Sequence, residues 1–238
     1  MGRMPTAFGP FCYERNSPVK ILFPLLSLLL AASAALAAPA ITCHCFQDRS
    51  FEPQRPAAAD PYILATTQNS LLAAAFGLPK KEVVRAKMAG ASGDRLWVVH
   101  YLAARSGHAP GQIEAARQQA SDWQAVLSSL RLDPALLSPR FVTVLGQAAS
   151  DEVLAAAAAD ATLESCLGAE PAAIETLRTA GATSQETILA LFLGRRTGLP
   201  ASELFQRVKS GNATWGEILH TSGIEAMNID DEIGRLLR

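Results

Sequence analysis

The sequence predicts an all-α protein: two tandem copies of a roughly six-helix unit, forming a two-lobed helical bundle. Three observations lead there. Residues recur at an offset of 91 positions, apolar positions recur at helical spacing, and the signals for strands are weak. The recurrence is the most specific of the three. Met88-Ala89-Gly90-Ala91-Ser92 falls on Thr179-Ala180-Gly181-Ala182-Thr183, and Tyr101 through Gly107 fall on Phe192 through Gly198 without a gap. One inserted residue later, Trp123 meets Trp215 and Val126-Leu127 meet Ile218-Leu219, while further out Asp60 matches Asp151 and Phe141 matches Ile233. A weaker echo about 30 residues long, Gly77 to Gly107 and Gly168 to Gly198, describes each unit as helical hairpins with flanking helices.

Helix boundaries in the first unit are expected near 61–76, 80–89, 93–105, 111–119, 122–130 and 139–147, with the second unit repeating the set from 152 to 237. Asp60-Pro61 opens the first helix and Gly77 closes it. Leu204, Phe205 and Val208 line one face of a helix whose other side carries Glu203, Gln206, Arg207 and Lys209. Thr183 with Glu186, and Thr214 with Glu217, stand at capping-box spacing. The run of alanines from Ala155 to Ala159 is expected to form a close-packing helix face. Aromatic residues make up only 6% of the chain, which leaves little material for alternating half-buried strands.

The first forty residues read as a secretory signal peptide. Lys20 precedes a short apolar run, Ile21 through Leu30, and small residues around Ala37-Ala38-Pro39-Ala40 provide a cleavage region. The apolar block is too short to span a bilayer well, so no membrane span is expected after cleavage. This anatomy is complete from Val19 onward, which predicts translation from there and makes residues 1–18 an upstream extension. The division is therefore 1–40 signal, 41–59 an extended cysteine-containing segment, 60–148 the first unit and 150–238 the second. The expected location is periplasmic or extracellular.

Charge excludes little except nucleic acid. The whole chain carries −1, of which residues 1–40 contribute +2, leaving −3 on the mature part. Arg195-Arg196, Arg207 and Lys209 form a basic cluster that unit one lacks, and it is read as a solvated helix face.

The most chemically pointed motif is Cys43-His44-Cys45. Two thiols and an imidazole near a new N-terminus, with Cys166, one of His100, His108 and His220, or the α-amino group as a further ligand, are a candidate copper or zinc site. The spacing differs from the C-x₂-C that aims two sulfurs at one zinc, and a disulfide to Cys166 accounts for the same residues. Otherwise no cofactor is expected. Trp123 and Trp215 are read as core anchors required in each copy, Trp97 and its match Ile188 as a buried apolar slot, and His100 as a partly buried histidine. No H-E-x-x-H or G-x-S-x-G is present, and Asp230-Asp231-Glu232 reads as the acidic start of a helix, so no catalytic residue is assigned.

Gly198-Leu199-Pro200-Ala201-Ser202-Glu203-Leu204 followed by Gly211-Asn212-Ala213-Thr214-Trp215-Gly216-Glu217-Ile218 resembles a repeat found in uncharacterised exported bacterial all-helical proteins, G-x-[SP]-x₃-[LV] then G-x-[ST]-W-x-x-I. The unit-one copy departs from it, since Ala120-Ser121-Asp122-Trp123 lacks the glycine. The resemblance implies a helical, exported protein and carries no activity. The expected function is a non-enzymatic exported binding or envelope-structural module with a protein or envelope partner. The alternative is a metal-binding or thiol-redox protein using Cys43, His44 and Cys45.

Overall fold

The computed structural model describes residues 46–237. Among these there are twelve α-helices and no strand. They are α1 (Asp60–Ala75), α2 (Lys80–Met88), α3 (Gly93–Ser106), α4 (Pro110–Gln119), α5 (Trp123–Leu130), α6 (Pro139–Gly146), α7 (Asp151–Leu167), α8 (Pro171–Thr179), α9 (Ser184–Thr197), α10 (Ala201–Lys209), α11 (Trp215–Thr221) and α12 (Ile229–Leu236). A 3₁₀ turn precedes each half's last helix, Pro134–Leu136 before α6 and Ala226–Asn228 before α12. None of these helices is long and apolar enough to cross a membrane.

Local chemistry sets the boundaries. The Thr183 hydroxyl accepts the Glu186 N–H while the Glu186 carboxylate accepts the Thr183 N–H, which closes the first turn of α9 from both sides. Ser92, Ser150, Ser138, Asp122 and Thr214 cap α3, α7, α6, α5 and α11 in the same way from one side. Gly107 and Gly198, 91 residues apart, end α3 and α9 in the left-handed conformation, at φ +73° and +75°. The sequence did not mark the two 3₁₀ turns. Asp133 produces the first by accepting the Ala135 N–H.

Packing does not follow the division at residue 149. α1 packs most heavily against α12 and α9 from the second half, and also meets α11 and α2. α7, the first helix of the second half, packs against α3 and α6 of the first. Each half therefore has its core completed by the opening helix of the other. Both helices are enclosed. Residues 66–73 of α1 and 157–163 of α7 are buried without interruption, more than any one-sided helix allows. The alanines at 155 and 157–159 are thus the surface of a helix buried all round, where small side chains let neighbours approach closely.

Polar contacts repeat this exchange. The Asp60 carboxylate at the start of α1 accepts the N–H groups of Trp215 (3.2 Å) and Gly216 (2.8 Å), tying it to α11. Asp151, the match of Asp60, accepts the indole N–H of Trp123 at 2.7 Å, tying α7 to α5. Deeper in the same helices, the Lys87 ammonium donates to Asn69 Oδ1 at 2.6 Å, and Arg178 donates to Asp160 Oδ1 at the same distance. Both residues of the second pair stand 91 positions after those of the first.

Candidate functional site

Cys43, His44 and Cys45 lie outside the described residues. Cys166 sits half-buried in the last turn of α7, its sulfur 3.7 Å from the Ser165 hydroxyl. The histidines occupy separate environments. His100 on α3 stacks on Phe76, with ring centroids 6.1 Å apart, and burial holds it below the usual histidine range. His220 on α11 stacks on Phe51 at 5.1 Å, and His108 follows the end of α3 with its Nδ1 buried and without a hydrogen bond. Among the described residues no three His, Cys, Asp or Glu side chains gather closely enough to hold a metal ion.

The tryptophans are core residues. Trp97, Trp123 and Trp215 are all buried, as is Ile188 at the position matching Trp97. The ring of Trp123 also lies beneath the Arg117 guanidinium, 5.4 Å from its centroid. With Asp122 and Asp151 it borders a small cavity of about 210 Å³ between α5 and α7. Two members of the basic cluster on α9 and α10 make structural contacts. Arg196 pairs with Glu232 at 3.5 Å, and the Lys209 ammonium donates to the Ala180 carbonyl just past the end of α8.

Two larger clefts border helices of the first half, each of about 720 Å³, within the range of small-molecule sites. One lies between the start of α3 and the start of α4, and its charges neutralise one another: Arg95 pairs with Glu114 at 3.6 Å and with Asp151 at 3.4 Å. The other lies where α3, the Pro134–Leu136 turn, α6 and α7 converge. Leu136, Leu137, Val142 and Ala161 form its apolar lining, with Arg105, Glu164 and Ser165 as polar groups.

The physical state of those polar groups singles out this second cleft. Arg105 is held over the Tyr101 ring, 5.4 Å from its centroid, and the buried Tyr101 hydroxyl accepts the Ser138 N–H at 2.8 Å. Tyr101 thereby joins the arginine's platform to the start of α6. Among the described residues no carboxylate pairs with Arg105 and no cation pairs with Glu164 within 4.0 Å. Glu164 is exposed at the rim of the cleft; partial desolvation and the nearby Asp160 charge raise its carboxyl, while Arg140 opposes them. Asp160 itself is 1% exposed; Arg178 hydrogen-bonds one of its oxygens and Arg140 stands 3.5 Å from the other. The sequence reading overlooked Arg105 and Glu164. The signal available in the sequence was Glu164, whose match is Ala73; Arg105 matches another arginine, Arg196, and only the structure shows that Arg196 has Glu232 as a partner.

No known protein family, curated protein or solved structure matches this chain.

Proposed function

We propose that the protein is an exported, non-enzymatic helical binding module, built by duplication of a unit of about 90 residues, and that the cleft between α3, α6 and α7 is its binding site. The observation that carries the binding reading is the pair of charges Arg105 and Glu164, without ion-pair partners among the described residues, in a cleft of about 720 Å³ with an apolar lining. A cleft of that size with a few convergent polar groups suits a small amphipathic ligand. Its polar set offers no nucleophile held by a general base, so the reading is recognition rather than turnover.

Support for duplication comes from register and from chemistry. α7, α8 and α9 each begin 91 residues after α1, α2 and α3. The Asn69–Lys87 and Asp160–Arg178 pairs fall on each other at that same offset. The two lobes of this reading are interlocked, each taking its central helix from the other half. Export rests on the signal anatomy of residues 20–40.

The binding reading is tested with an environment-sensitive apolar dye on the mature chain. Dye fluorescence should rise on binding and fall back in Val142→Trp, which puts a bulkier side chain into the cleft lining. Equal binding by the variant, or turnover on a broad hydrolase and oxidoreductase panel, contradicts the proposal. N-terminal sequencing of protein secreted from the full precursor tests the export reading; an unprocessed N-terminus removes it.

A further inference from the structure

We infer that the cleft takes short apolar peptides with free termini, the ligand carboxylate meeting Arg105 and its ammonium meeting Glu164. This rests on the cleft being the binding site and names the class of ligand it selects.

The argument is electrostatic. The two charges come from different helices, α3 and α7; among the described residues neither forms an ion pair within 4.0 Å, and Arg140 acts on Glu164 only from farther off, so each has room for a direct partner from a ligand. A simple organic anion gains at Arg105 but brings its charge into the same cleft as the Glu164 carboxylate. A simple cation meets the reverse penalty. A zwitterion with an apolar middle satisfies both groups, while Leu136, Leu137, Val142 and Ala161 cover its side chains. Arg105 is already set against Tyr101, so little ordering is needed when the ligand arrives. The matching place, where α9 and α12 meet α1, lacks both free charges, because Arg196 is paired with Glu232 and Ala73 replaces the glutamate. One peptide per chain is therefore expected.

Titration calorimetry on the mature chain at neutral pH uses trileucine, N-acetyl-trileucine, trileucine amide and octanoate. Trileucine should bind at one site and more tightly than the other three. Arg105→Gln should weaken trileucine roughly tenfold and leave the amide unchanged, and Glu164→Gln should weaken trileucine similarly and leave the acetylated peptide unchanged. Thermal unfolding of each variant confirms that it is folded. Octanoate or a blocked peptide binding as tightly as trileucine overturns the zwitterion assignment, as does the absence of trileucine binding. Dye binding that still responds to Val142→Trp then shows that the ligand class failed while the cleft stands. Loss of both takes the binding reading down as well.

Discussion

The Asp151 carboxylate accepts the indole N–H of Trp123 across 28 residues of chain, at 2.7 Å, and takes a second hydrogen bond from the Arg95 side chain at 3.4 Å. One acid thus holds the start of α7 to both α5 and α3. Trp123→Phe keeps an aromatic ring but deletes the donor and half of the buried indole. It should lower unfolding free energy by about 2–4 kcal/mol, since a hydrogen bond to a charged group is lost and a small cavity is left, while Arg95 still serves the carboxylate. Denaturant titration measures this; a change near zero would mean water replaces the indole without loss.

The buried acid of α7 gives a sharper test. Arg178→Ala leaves Asp160, 1% exposed, with only Arg140 at 3.5 Å, and should cost about 3 kcal/mol. The other half already contains a less charged version of the pair, Asn69 with Lys87. Transplanting it as Asp160→Asn together with Arg178→Lys should recover most of the loss, because a neutral amide needs no guanidinium to be buried. If the double variant is no more stable than Arg178→Ala alone, the two sites are not chemically interchangeable.

Acid sensitivity should map partly to His100. Burial lowers its folded pKa below the ordinary 6.5, so the unfolded chain binds the proton more readily. The histidine's contribution is favourable above 6.5 and is lost as pH falls through that value toward the folded pKa. His100→Leu copies the match at Leu191 and removes the penalty. Its stability relative to the parent should increase as pH is lowered across this window; a difference that is constant with pH rejects the assignment.

Glu164 shifts in the opposite sense. Its folded pKa is raised above the ordinary 4.5, so ionisation disfavours the folded state, and its contribution is best below the ordinary value and lost as pH rises through the folded one. Glu164→Gln should match the parent in acid and become relatively more stable as pH rises. Equilibrium unfolding in a pH series reads this directly, and relative destabilisation of the variant at neutral pH would contradict it.

Much of this fold was legible in the sequence, for identifiable reasons. Helix ends follow from local chemistry, and Ser92, Thr183, Gly107 and Gly198 act where they stand. What periodicity could not reveal was enclosure. Thr66-Thr67-Gln68-Asn69-Ser70 looks like a polar surface, yet all five residues are buried, because α1 is surrounded by helices distant in sequence. Three find distant or local partners: Thr67 donates to the Ile63 carbonyl, Gln68 meets Gln185, and Asn69 meets Lys87. Arg105 and Glu164 were missed for a related reason. Their importance lies in lacking partners that Arg196 has, and pairing is decided by tertiary contacts rather than spacing.

Because α1 packs against α12, the first of the described helices must wait for the last before its surroundings exist. Sequential folding of one half and then the other is closed to such a chain; α3 and α6 wait in turn for α7. A nascent or stalled polypeptide ending before residue 229 should remain sticky and protease-sensitive throughout, not merely at its unfinished end.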